Sequence, residues 1–180
     1  MSSCTQLCVA LAMQSWHKNF SEVKKMRKEN PARFSSAVGE VWMHCMFKVK
    51  YCHKIFDDEI YREGILTLLH EAAYLYEIPL DEIGFDDNHV HFLADICLYD
   101  RPTVAKLLRG YTAKKFFEFF PELKRPKQEG GLFWGSGLWN PAYYIGSPKN
   151  LAYTIKYIQG QKYGRLGAMR KGQRTLNRLR

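Results

Sequence analysis

The alternation of apolar and polar side chains is clearest over Asn88–Ile96. Val90, Phe92, Ala94 and Ile96 are apolar, while His89, His91 and Asp95 occupy the opposite phase. A period of two predicts a strand with one face in a core and the other polar. Val41–Ile55 repeats the pattern, with Met43, Cys45, Phe47, Val49 and Tyr51 alternating with His44, Met46, Lys48 and Lys50. That predicts a second strand packed on one side only. Asp81–Phe85 is a shorter strand candidate. The turn chemistry of Asp86-Asp87-Asn88 predicts that it pairs with the His89–Cys97 strand as a hairpin.

Elsewhere the period lengthens to that of a helix. Over Asp57–Glu77, Tyr61, Ile65, Leu68, Leu69, Ala72 and Leu75 form one apolar stripe, Asp57 or Asp58 is the cap, and Ile78-Pro79 ends the run. Pro102–Phe120 is a second helix with Val104, Leu107, Leu108 and Tyr111 inward. Gly130–Gly146 predicts two short strands around a Gly135-Ser136-Gly137 turn. Its aromatics Phe133, Trp134, Trp139, Tyr143 and Tyr144 either pack or stack on unpaired bases. A last helix is expected to start at Ser147-Pro148, with Ser147 as cap and Pro148 in the first turn. Leu151, Ile155 and Ile158 face the core, and Tyr153, Tyr157 and Gln161 share another face. Tyr157 lies about 200° round from Ile155 at 100° per residue. Gly160 costs about 1 kcal/mol of helix stability, which marks a close approach or a hinge.

Charge adds a partner to this picture. The 180-residue chain carries a net charge of +9, which points to a polyanion, nucleic acid before an anionic membrane surface. The length favours one domain with an extension. Residues 1–40 are expected to form a basic N-terminal extension, in which the basic stretch Ser15–Arg33 is expected to be helical up to Asn30-Pro31. Residues 41–163 hold the patterned domain and residues 164–180 a basic tail expected to order only on a partner. Within the domain, Lys48, Lys50, Lys106, Arg109, Lys114, Lys115 and Arg125 are the candidate phosphate contacts, the alternative being a solvated face. The five cysteines form no Cys-x-x-Cys pair, which argues against a disulfide scaffold or a zinc ribbon and for reduced thiols in the cytoplasm. The apolar run Leu7–Met13 is too short for a membrane span and lacks the basic stretch of a signal peptide, so no membrane partner is expected.

The chemistry starts from His89 and His91. Two imidazoles at i and i+2 on a strand lie on one side, roughly 7 Å apart along it, which suits a shared metal ion or simply a polar strand face. Asp86 and Asp87 in the adjoining turn can also approach such an ion. A phenol at Tyr157, held off the apolar face one turn before the Gln161 amide, is an unusual pairing.

The ordered set His89-Val90-His91, Gly137-Leu138-Trp139-Asn140-Pro141-Ala142-Tyr143-Tyr144-Ile145 and Tyr157-Ile158-Gln159-Gly160-Gln161 resembles one family closely. It is similar to the single-tyrosine HUH transposases of the insertion-sequence-200/605 type, over about residues 41–163. Asn88 stands where that family often has Asp, Ala142 where it often has Gly, and the first forty residues exceed the usual start. The resemblance implies an α+β, ferredoxin-like (RRM-like) fold, an antiparallel sheet with helices packed on one face. It implies a homodimer whose tyrosine helix completes the His site of the partner subunit in at least one state. It also implies cleavage and rejoining of single-stranded DNA bearing hairpins at insertion-sequence ends. Tyr157 would be the nucleophile that forms a 5′-phosphotyrosine. His89, His91 and Gln161 would hold a divalent cation, Mg²⁺ or Mn²⁺ rather than structural Zn²⁺.

Three other readings compete. A non-catalytic nucleic-acid-binding derivative predicts loss of Tyr157 or a His, and all are present. A domesticated enzyme acting on dispersed palindromes would use the same chemistry. A metal-dependent hydrolase would pair the histidines with an acid such as Asp95 and form no covalent adduct.

Overall fold

The computed structural model describes residues 33–34, 37–97 and 99–165. The chain divides into two compact units, Met1–Glu40 and Val41–Arg180. In the first, Arg33–Phe34 pairs antiparallel with Ala37–Val38. The helix expected from Ser15 up to Asn30-Pro31 lies outside the described residues, and so does the tail beyond Arg165.

The second unit runs β1 (Trp42–Val49), α1 (Glu59–Leu75), β2 (Leu80–Phe85), β3 (His89–Asp95), α2 (Arg101–Phe119), β4 (Trp139–Gly146) and α3 (Leu151–Gln159). The four strands form one sheet in the order β2-β3-β1-β4, with every neighbouring pair antiparallel. This βαββαβ connectivity is the ferredoxin-like arrangement expected. None of the helices among the described residues is long and apolar enough to cross a membrane.

Alternation decides which face is which. Met43, Cys45, Phe47 and Val49 from β1 and Val90, Phe92 and Ala94 from β3 are buried together with Ile65, Leu68, Leu69 and Ala72 of α1 and Val104, Leu108 and Phe116 of α2. So α1 and α2 cover one face. The Phe47 ring packs edge-on against Phe92 at 5.1 Å and tilted against Trp139 at 5.8 Å. Trp139 is buried, and its Nε1 donates to Thr112 Oγ1 at 2.9 Å, tying β4 to α2 and satisfying the indole. The helices start where side chains cap them: Asp58 accepts from Ile60 N, Asp100 from Thr103 N and Asn150 from Tyr153 N.

Several boundaries differ from the pattern. β1 stops at Val49, because Tyr51 and Cys52 take left-handed φ values of 58° and 57°. Tyr51 therefore leaves the apolar face and is exposed. Asp58 caps α1, and Leu75 is exposed in its last turn. Gly130–Gly146 holds one strand, not two; its first half is turns, with Phe133 buried and Trp134 exposed. The last helix starts at Leu151 rather than at Ser147-Pro148, since Asn150 supplies the cap. On that helix Thr154 and Ile158 are buried, whereas Leu151 is exposed.

α3 lies against β2, and Gly84 is the reason it comes so close. A Cβ at Gly84 would collide with the Ile158 carbonyl oxygen. Gly84→Ala is expected to lower the unfolding free energy by about 1–3 kcal/mol in denaturant titrations, the usual range for forced overpacking. Gly110→Ala on α2, where an added Cβ meets open space, should be neutral or stabilising by up to about 1 kcal/mol. Equal behaviour of the two variants would contradict this packing.

Candidate active site

The face of the sheet opposite α1 and α2 carries the polar phase of β1 and β3. The antiparallel register sets Lys48 against His89, Met46 against His91 and His44 against Leu93. Side chains two apart share a face, so His44, His89 and His91 converge. The ring centroids of His89 and His91 are 4.9 Å apart, and those of His44 and His91 5.1 Å.

Each ring nitrogen facing a neighbour is accounted for. His89 Nδ1 lies 2.9 Å from Asn88 Oδ1. That oxygen only accepts, so Nδ1 carries the proton and Nε2 keeps its lone pair. Asn88 thus supplies an acceptor although it is not Asp. His91 Nδ1 lies 3.0 Å from His44 Nε2, which leaves Nε2 as the second nitrogen of His91. Burial lowers the affinity of all three imidazoles for a second proton. It is the main cause at His91, with His89 and His44 adding to it, and that ring is pulled down to about 3. At His89, burial outweighs the opposing pull of Asp86 and Asp87. Neutral rings near pH 7 can donate nitrogen lone pairs to a cation.

α3 brings Tyr157 over this cluster. Its ring lies edge-on, 5.2 Å from His91 and 5.9 Å from His44. Tyr157 is 44% exposed. Tyr144 on β4 adds a fifth ring, 5.5 Å from His44. Gln161 follows the helix and is buried, and its Nε2 donates to the Tyr157 carbonyl at 3.3 Å. The chain is fixed just beyond: Asp57 Oδ1 accepts from Lys162 Nζ at 2.5 Å and from the Tyr163 hydroxyl at 2.6 Å. Tyr163 N donates to Phe85 O, and the Arg62 guanidinium lies 4.2 Å from the Tyr163 ring.

The acids take other roles. Asp95 is buried, and its Oδ1 accepts from Val41 N at 2.7 Å and Cys97 N at 3.0 Å, which locks two strand ends. Asp86 accepts from Asp87 N, and Asp87 pairs with Lys54 at 3.0 Å. Among the described residues no three His, Cys, Asp or Glu side chains are grouped to hold a metal. His89 and His91 are together on one strand face, and Gln161 lies just past the Tyr157 helix. Nitrogen and oxygen donors without thiolate would suit a hard divalent cation better than structural Zn²⁺.

The basic candidates are dispersed. Lys48 stands beside His89 in the sheet, and the Lys50 ammonium lies 5.2 Å from the Tyr51 ring. Lys106, Lys114 and Arg125 are exposed, while Lys115 pairs with Glu118 at 2.8 Å. Arg109 is committed within the fold, donating to the carbonyls of Asn140 and Pro141 on β4. The sequence pattern marks His44 only as a polar-phase residue and Tyr144 only as an aromatic that packs or stacks. Each sits on the polar phase of its strand, but only the strand pairing shows that they meet His91 and Tyr157.

Comparison with known proteins gives three likenesses. A family model described as IS200-like transposase matches residues 37–161. The chain is 30% identical over 121 residues to the ISDra2 transposase TnpA of Deinococcus radiodurans, an alignment covering 66% of this chain and 81% of that protein. It is also similar to the crystal structure of a protein from D. radiodurans R1 described as a transposase. That likeness has a TM-score of 0.56 and 27% identity, covering 72% of this chain and 97% of the other.

The depressed affinity of His91 has a consequence for stability. Its folded-state value lies below the unfolded value near 6.5, so between about pH 6.5 and 3 the unfolded chain binds more protons. Stability from this group is complete above about pH 6.5 and is lost as pH falls. Without metal and with chelator present, moving from pH 7.5 to 5.5 should remove about 1 kcal/mol, or about 2–4 °C of Tm. His91→Gln should flatten that slope, and an unchanged slope would contradict the assignment.

Proposed function

The chain belongs to the IS200-like transposase family, and from that membership we propose that it cleaves and rejoins single-stranded DNA through Tyr157. The observation that carries the reading is the exposed Tyr157 phenol packed against His91, with His89 on the same strand face.

In the proposed reaction the Tyr157 oxygen attacks the scissile phosphorus as its proton leaves. The phosphorus–O3′ bond breaks, the departing oxygen takes up a proton as a 3′-hydroxyl, and a 5′-phosphotyrosine remains. A second DNA 3′-hydroxyl reverses the attack and joins a new strand, so the bond energy is kept without a nucleotide cofactor. A free phenol titrates near 10, so at neutral pH the attack needs charge stabilisation around the phosphate. His89 Nε2, His91 Nε2 and Gln161 Oε1 are the residues that would hold Mg²⁺ or Mn²⁺. When bound, such a cation polarises phosphoryl oxygens and offsets charge developing on them. Gln161 stands four residues after Tyr157 with its Nε2 bonded to the Tyr157 carbonyl, so nucleophile and third ligand would move together.

Basic side chains at the surface, among them Lys106, Lys114 and Arg125, are proposed to meet the phosphate backbone, with hairpins near the element ends as the structured part of the substrate. The working unit is proposed to be a homodimer. Here Tyr157 is seated at its own chain's histidines, and exchange of α3 between two chains would place it at the partner's. The covalent chemistry also serves a domesticated palindrome-processing enzyme, and the flanking DNA of the gene distinguishes the two roles.

Labelled hairpin-bearing single strands from those flanks, incubated with Mn²⁺ and run on a denaturing gel, test the reading. A metal-dependent covalent adduct is expected, with Tyr157→Phe reducing it at least 10³-fold, as for loss of a nucleophile (about 4 kcal/mol at 1.36 kcal/mol per decade). Cleavage without adduct, unchanged in Tyr157→Phe, would replace this mechanism with hydrolysis.

A further inference from the structure

We propose that His44 is a positioning residue that fixes the tautomer and orientation of His91, so that His91 presents Nε2 to the cation. The inference rests on the metal-assisted reading above and adds a residue to it.

Strand register brings the two rings together. His44 on β1 faces Leu93 across the strand pair, and His91 faces Met46, so the two imidazoles are diagonal neighbours on one face. Their side chains close that diagonal, with Nε2 of His44 3.0 Å from Nδ1 of His91. A neutral imidazole carries one N–H, so one ring donates and the other accepts. If His91 donated from Nε2, that nitrogen would have no lone pair for a metal. With Nδ1 as donor to His44 Nε2, the His91 Nε2 lone pair is free, and the His44 proton resides on its own Nδ1.

The neighbouring ligand is built the same way. Asn88 Oδ1 can only accept, and it fixes the proton of His89 on Nδ1. Both candidate ligands then offer Nε2 and are held from behind by a side chain that does not itself reach the cation. A metal-ligating histidine commonly hands its second N–H to such a partner, and loss of the partner weakens metal binding by about 10- to 100-fold. The His44 ring is itself wedged between Tyr144, at 5.5 Å, and Tyr157, at 5.9 Å. Its plane is thus set by contacts that also locate the nucleophile. His44 is not a third ligand in this arrangement, since its Nε2 is committed to His91.

Two variants separate the hydrogen bond from the bulk of the ring. His44→Phe keeps a planar side chain and removes the acceptor. His44→Gln places an amide oxygen near the position of Nε2 and keeps it. Long-range ¹H–¹⁵N correlation spectra of the metal-free protein read the His91 tautomer directly. Mn²⁺ titration followed by electron paramagnetic resonance reads affinity without DNA or activity. The expected result is a single Nδ1–H tautomer of His91 in the wild type and in His44→Gln, and a mixture in His44→Phe. Mn²⁺ affinity should fall about 10- to 100-fold in His44→Phe and recover in His44→Gln. Equal affinity and an unchanged tautomer in His44→Phe would overturn the proposal. A wild type that binds no Mn²⁺ would instead overturn the metal-assisted reading and this proposal with it. The tautomer spectra would then still report whether the His44–His91 bond exists.

Discussion

Antiparallel pairing of β3, with β1 on one side and β2 on the other, is the constraint on which the rest depends. It sends Val90, Phe92 and Ala94 into the core beneath α1 and α2 and leaves His89 and His91 on the opposite face. A slip of one residue would exchange the two sets, burying imidazoles among Phe47 and Leu108 and exposing the apolar side chains. The register is held from several directions. Asp95 pins the far end through Val41 N and Cys97 N, and the Phe47–Phe92 contact fills the core across the strand pair. Site geometry and core packing are therefore one choice, made once by the alternation of β3.

The second requirement is that Tyr157 be delivered to that face. α3 is short, nine residues, and such a helix is marginal unless packing supports it. The support comes from its two ends. Asn150 caps the start, and Gly84 lets the Ile158 backbone lie directly on β2. Past the helix, Tyr163 and Lys162 converge on Asp57, and Tyr163 N closes on Phe85 O. These contacts are partly exposed, which makes them individually weak, and their number matters more than any one. They also define what must be released if α3 is to leave its own sheet for that of a second chain.

How much of this the sequence carried can be judged residue by residue. The β3 strand, its hairpin with β2, and the helices α1 and α2 were legible, because alternation and helical stripes are properties of short windows. Tyr157 lies off the apolar phase of its helix and is exposed beside His91, while the single-tyrosine motif itself is legible only through the family resemblance. What failed were features set by backbone conformation or by choice between equivalent signals. Tyr51 continues the apolar alternation of β1, but a left-handed turn takes it out of the sheet. Ser147 and Asn150 are both good caps three residues apart, and Asn150 is the one whose side chain accepts from the first turn, at Tyr153 N. His44 was visible as a polar-phase residue, yet its meeting with His91 depends on which strand lies beside which. Gln161 falls beyond the last helical residue, so helical periodicity does not describe its burial.

The claim that joins sheet, helix and chemistry is that Tyr157 itself becomes bonded to DNA. Trypsin should release Tyr157 in the peptide 157–162, between Lys156 and Lys162, apart from Tyr144, Tyr153 and Tyr163. Tandem mass spectrometry of the nuclease-trimmed covalent complex reads the modified residue directly. The account predicts a 5′-nucleotide phosphate on Tyr157 within that peptide. The same mass carried by another tyrosine, or unmodified 157–162 peptide from a complex that nonetheless survives denaturation, would contradict it.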